Sequence, residues 1–162
     1  MPSDIVVKES SEASLEFHSQ FGAKAKAYSY HIFNNSIRPA IERRYLHWVW
    51  HRLDVNLMKE GSGFLVGTHD FSSFEAADSP RNSNIRTVNF IDIEEKNCYV
   101  TILIEADGFL YRMVRNIVGT LIYVGHKKYP PQHIKKILEA KDRKFSGPTA
   151  PAKGLFLEYV KY

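Results

Sequence analysis

The order of the sequence elements predicts an α+β fold with a mostly antiparallel sheet. Residues 85–106, IRTVNFIDIEEKNCYVTILIEA, read as two strands joined by a hairpin turn. Two apolar-periodic helical segments then follow one another without a strand between them. Nowhere does a regular strand–helix–strand alternation appear, which argues for the same class.

In chain order, a short strand is expected near residues 5–8, followed by a polar loop. From Lys26 the period is two, which places Lys26, Tyr28, Tyr30 and Ile32 on one face of a second strand. NSIRP is a turn signal, and the aromatic, β-branched YLHWVWHRL is extended. Asp54 is an N-cap for a helix through about residue 66, weakened by Gly61 and Gly63. GTHDFSSF reads as a compact turn or short helix, and EAADSPRNSN as a polar loop. In the hairpin, Glu95, Lys96 and Asn97 form the turn, while Val100, Ile102 and Ile104 alternate toward one face. A helix spans residues 107–125, and Pro130 and Pro131 open another through about residue 140. FSGPTAPAKG is a Pro/Gly loop, and LFLEYVKY closes the chain as a strand.

At 162 residues, 44% hydrophobic and 25% charged, the chain is expected to form one domain with a real core. No apolar run approaches the roughly 20 residues that span a bilayer. Residues 1–14 carry no signal-peptide pattern, and the single cysteine, Cys98, allows no intrachain disulfide. These points favour the cytoplasm. The net charge of +4, with basic clusters at Arg43–Arg44, Lys127–Lys128, Lys135–Lys136 and around Arg143, permits a nucleic-acid partner. A 13% aromatic content suits either base stacking or an ordinary core.

The helix at 107–125 carries the sharpest question. At 3.6 residues per turn, Leu110, Met113, Val114, Ile117, Val118, Leu121 and Val124 form one stripe. Arg112, Arg115 and Gly119 share the opposite side. An interior helix glycine costs about 1 kcal/mol relative to Ala, so Gly119 suggests close approach by something. Either an arginine fork holds a carboxylate or phosphate here, or both arginines face solvent.

GFLYRMVRNIVGTL, followed by KDRKFSGPTAPAKGLFL, resembles the C-terminal half of the TruA-type tRNA pseudouridine synthases. PSDIVV, FHSQFGAKAKAYSYHIFN, IRPA and GTHDFSSFEA agree in the same order. The resemblance implies the pseudouridine synthase fold, with helices on one face of the sheet, and isomerisation of uridine to pseudouridine in the tRNA anticodon stem-loop. It also implies a homodimer and no cofactor or metal. Arg115 matches the arginine that pairs with the catalytic aspartate. Tyr28 matches the tyrosine that packs on the target base, and Leu155 an apolar residue lining the uracil pocket. Phe17, His18, Ser19, Gln20 and Phe21 match a segment that touches tRNA, as do Asp78, Ser79, Pro80, Arg81 and Asn82. The chemistry needs an ionised aspartate beside a flipped base in a nearly dry site, where a paired arginine offsets the upward pKa shift of burial.

The family's nucleophile lies in a GRTDAGVHA-like segment of its N-terminal half, and these 162 residues contain none. Asp70, in THDF, matches a family position read as structural. The chain is therefore expected to be a C-terminal domain, an excised piece or the product of a shortened or split gene, and inactive alone. The alternative is a non-catalytic RNA-binding or dimerisation module. Gln20 stands where the family typically has an arginine associated with base flipping. A face that would meet the other half is expected to be apolar and exposed.

Other motifs carry less. His47 and His51 are spaced as a metal pair on a helix, but the alternation of Trp48 and Trp50 reads as strand, and no third ligand is evident. Cys98 is expected as a small core residue, and Glu94 and Glu95 as solubilising residues at the turn. Gly61–Ser62–Gly63 lacks the Gly-Lys-Ser/Thr context of a phosphate loop.

Overall fold

In the computed structural model, which describes residues 2–76 and 83–162, the strand containing the tyrosines is the middle of the sheet. This strand, β1 (Ala25–Asn34), runs antiparallel to β5 (Tyr99–Ala106) along one edge. Its other edge is shared. β6 (Leu155–Lys161) pairs antiparallel with its first half, and the short β2 (His47–Val49) runs parallel to its end. β4 (Ile85–Lys96) pairs with β5, and β3 (Gly67–Asp70) with β4, completing a six-stranded sheet. The predicted α+β class holds, with one parallel pair.

The period of two sets the faces. Tyr30, Ile32, Val100, Ile102 and Ile104 are buried on one side, against Met58 of α1 (Val55–Gly63) and the apolar stripe of α2 (Met113–Gly125). α3 (His133–Ala140) adds Ile134 and Ile137 to the same core. On the other face β1 presents Ala25, Ala27 and Ser29, small enough for β6 side chains to cross over them. There Lys161 Nζ and Tyr159 Oη each reach Glu105 of β5 at 2.6 Å, and Asn89 Nδ2 donates to the same carboxylate at 2.8 Å. These bonds, Lys161 first, hold Glu105 down to a pKa of about 2. No helix among the described residues is long and apolar enough to cross a membrane.

Several expectations need correction. Residues 5–8 form no strand, because no sheet edge lies beside them; Ile5, Val6 and Val7 are exposed. GTHD is a strand instead, because it pairs with the start of β4; SSF is a single 3-10 turn as foreseen. The hairpin turn is Asn97–Cys98, with Asn97 at φ 56°, so Glu95 and Lys96 belong to the ladder. Cys98 is therefore half-exposed in the turn, not core, with Asn35 Nδ2 at 3.0 Å from its sulfur. Asp54 does cap α1, accepting from Leu57 N at 3.3 Å, but the helix ends at Gly63. α2 starts at Met113, because Arg112 sits in the left-handed region at φ 59° and breaks the helical register. Pro130 and Pro131 precede the N-cap of α3, Gln132.

Candidate active site

The loop from Asp107 to α2 is tied to β4. Asp107 Oδ1 accepts from Thr87 N, and Asp107 N donates to Thr87 O, both at 3.0 Å. This anchoring carries Phe109 over the sheet, where its ring meets Tyr28 edge-on at 5.3 Å. Tyr28 is half-buried on β1, two residues before the fully buried Tyr30 and on the same face. Among the described residues the Tyr28 hydroxyl has no hydrogen-bond partner.

Arg115 lies in the first turn of α2 and is half-buried. Its Nε donates to Ala150 O at 2.6 Å, and its own carbonyl accepts from Ala150 N at 3.1 Å. No carboxylate among the described residues lies within 4.0 Å of it, and its two terminal amino groups have no hydrogen-bond partner there. The guanidinium is held by one corner, with the bidentate edge left open. Beneath it the Tyr30 hydroxyl donates to Pro151 O at 2.7 Å. Burial pushes the Tyr30 hydroxyl's pKa well up, and the Arg115 charge opposes that.

Leu155 opens β6 opposite Tyr30 and packs on the core edge. The chain enters that position only because residue 154 is glycine: a Cβ there would stand 2.8 Å from His31 O and 2.9 Å from the Tyr30 ring. Tyr30 thus joins the three expected site residues. It shares a face with Tyr28, pairs with Leu155 and feels Arg115. Sequence periodicity put Tyr30 on the right face, but nothing in the sequence marked it as the hub.

Gly119 resolves differently from expectation. A Cβ on it would lie 1.7 Å from Pro148 O, so the thing that approaches is the chain's own 147–150 segment. α2 is therefore buried on the Gly119 side as well, with Asn116 and Thr120 inside. Arg112 is outside the helix and exposed, its guanidinium 4.8 Å from the Tyr111 ring.

Phe17, His18, Ser19, Gln20 and Phe21 form an exposed turn at the other end of the β1/β6 pair. His18 Nδ1 accepts from the Gln20 and Phe21 amides at 3.2 Å, and Phe17 packs on Tyr162 at 4.9 Å. Asp78, Ser79, Pro80, Arg81 and Asn82 lie outside the described residues. Four of the described aspartates have other work. Asp54 meets Lys127, Asp70 meets Ser72 and Lys141, Asp107 holds β4, and Asp142 caps Lys144.

His47 and His51 do not converge. His47 faces Tyr30 at 6.4 Å, whereas His51 lies against Trp50 and 6.0 Å from His126. No cluster of three or more metal-ligating side chains occurs among the described residues.

Residues 64–162 match the family model described as tRNA pseudouridine synthase. Over all 162 residues the chain is 47% identical to tRNA pseudouridine synthase A of Clostridium acetobutylicum and 44% identical to tRNA pseudouridine synthase A 2 of Clostridium tetani. It is 43% identical to tRNA pseudouridine synthase A of Vibrio campbellii. The chain spans 66%, 65% and 61% of the length of these three relatives. On the family model and the identity across the whole chain, this protein belongs to the tRNA pseudouridine synthase family.

Proposed function

We propose that the chain is the base-binding portion of an enzyme that isomerises uridine to pseudouridine in the tRNA anticodon stem-loop. The observation that carries this is Arg115: a guanidinium fastened at Nε, with its outer edge open, beside the Tyr28 and Tyr30 face. In this reading an aspartate outside these 162 residues docks on that open edge. The arginine then keeps the carboxylate ionised in a site that burial would otherwise neutralise. The Tyr28 ring, braced by Phe109, packs on the flipped uracil, and Leu155 closes the apolar side of its pocket.

The turn of Phe17, His18, Ser19, Gln20 and Phe21, together with Asp78, Ser79, Pro80, Arg81 and Asn82, contacts tRNA. The complete enzyme works in the cytoplasm as a homodimer, and the chain alone does not turn over. The exposed apolar side chains of Ile37, Ile41, Tyr45 and Trp50 support a further protein surface that covers them.

Release of tritium from C5 of labelled tRNA uridine tests the reading. The chain alone is expected to release none, and adding a polypeptide that carries the family's aspartate segment is expected to restore release. Arg115→Ala or Tyr28→Ala is expected to abolish the restored activity with the fold intact. Turnover by the chain alone, or unchanged turnover in either variant, overturns the corresponding assignment.

A further inference from the structure

We propose that Arg143 is the positioning residue for Arg115, holding the segment to which that arginine is tied; this rests on the role given to Arg115 above. Arg115 takes its direction from Ala150, through bonds at both Ala150 N and Ala150 O. Ala150 lies in an irregular stretch, residues 146–151, that contains Gly147, Pro148 and Pro151 and has no ladder or helix of its own. Something else must hold it.

Arg143 does so from both sides. One terminal nitrogen donates to Ser146 Oγ at 2.6 Å, and the other to Thr149 Oγ1 and Asn116 Oδ1, both at 3.1 Å. Ser146 and Thr149 belong to the loop, while Asn116 is the α2 residue next to Arg115. One planar cation therefore pins the loop to the helix turn that carries Arg115. Thr149 Oγ1 closes the ring by donating to Asn116 Oδ1 at 2.6 Å. The acceptors are themselves oriented, since Asn116 Nδ2 donates to Phe74 O at 2.7 Å and Ser146 Oγ to Ser73 O at 2.8 Å.

All of these acceptors are neutral. No carboxylate among the described residues lies within 4.0 Å of Arg143, and burial pulls its guanidinium below its ordinary pKa. A half-buried cation with no counter-charge among the described residues is costly, so its place here follows from direction rather than charge. A lysine ammonium has the charge but not the fork that spans three acceptors.

Hydrogen exchange and side-chain NMR on the chain itself test this, and neither readout depends on turnover. Failure of the complemented enzyme to turn over would therefore count against the proposed function and leave this inference standing. In Arg143→Lys, the Ala150 amide is expected to lose protection by about tenfold or more, the scale of one charge-assisted hydrogen bond. The Arg115 Nε–H signal should shift or exchange away, while the amides of Ile93 and Ile102 keep their protection. Unchanged Ala150 and Arg115 signals in a folded Arg143→Lys protein would overturn the proposal. If that variant does not fold, Thr149→Val removes one acceptor and is read in the same way. Global loss of protection in both variants also overturns it, because the cluster would then hold the whole fold and not one arginine.

Discussion

Replacing Gly119 with alanine separates a helix glycine that is merely tolerated from one that is required. On an exposed helix the change would stabilise by up to about 1 kcal/mol. Here the new Cβ would stand 1.7 Å from Pro148 O, and that carbonyl must withdraw by about 1.3 Å to reach even a 3.0 Å contact. Pro148 cannot move alone. On one side Gly147 N donates to Thr120 Oγ1 at 2.9 Å; on the other Ala150 is bonded twice to Arg115. Breaking two neutral hydrogen bonds at about 1 kcal/mol each, and one to a charged group at about 1.5–3 kcal/mol, outweighs the propensity gain. Gly119→Ala should therefore destabilise the chain by roughly 2–4 kcal/mol. Urea unfolding followed by circular dichroism measures this, read as a lower midpoint at unchanged slope. A midpoint equal to or above that of the unmodified chain would refute the close-packed account of α2 and this loop.

Other expectations concern single groups. Glu105, held at a pKa of about 2 against an ordinary 4.5, contributes stability that is full above the ordinary value and lost as pH falls toward 2. The difference in Tm between the unmodified chain and Glu105→Gln should accordingly shrink on acidification, and a constant difference would deny the Lys161–Tyr159–Asn89 cluster its role. His47 is lowered to about 4, first by burial and then by the Lys153 charge. Its ring resonances should titrate near pH 4, with stability falling as pH drops below about 6.5 because the unfolded chain takes the proton first; a midpoint near 6.5 would contradict its burial. Tyr30→Phe leaves Pro151 O without its donor and should cost about 1–2 kcal/mol, with faster amide exchange confined to residues near Pro151. Exchange unchanged there would mean that Tyr30 does not hold the loop.

Much of the sheet was legible because its signals are local. The alternation in β1 and β5, the strand composition of β6, the Asp54 cap and the proline-led α3 each depend on residues within one turn or one pleat. The errors fall where pairing at a distance decides. Residues 5–8 have strand composition but no neighbour, whereas GTHD has little strand character and is a strand because residues 85–88 lie beside it. Arg112 stands on the predicted helix but takes a left-handed backbone, and a helical wheel cannot anticipate that break.

The candidate site divides along the same line. By itself the sequence determined the faces of β1 and the apolar stripe of α2, and through its motifs it singled out Tyr28, Arg115 and Leu155. Tertiary structure alone decided that Tyr30 joins them, that Phe109 braces Tyr28, and that Gly119 receives Pro148. It also decided that Arg143 spends its charge on neutral acceptors beside Arg115. The physical reason is range. Periodicity and capping act between residues three or four apart, whereas hydrogen bonds from Arg143 to Asn116 and from Tyr30 to Pro151 join residues 27 and 121 positions apart, brought together only by the folded core.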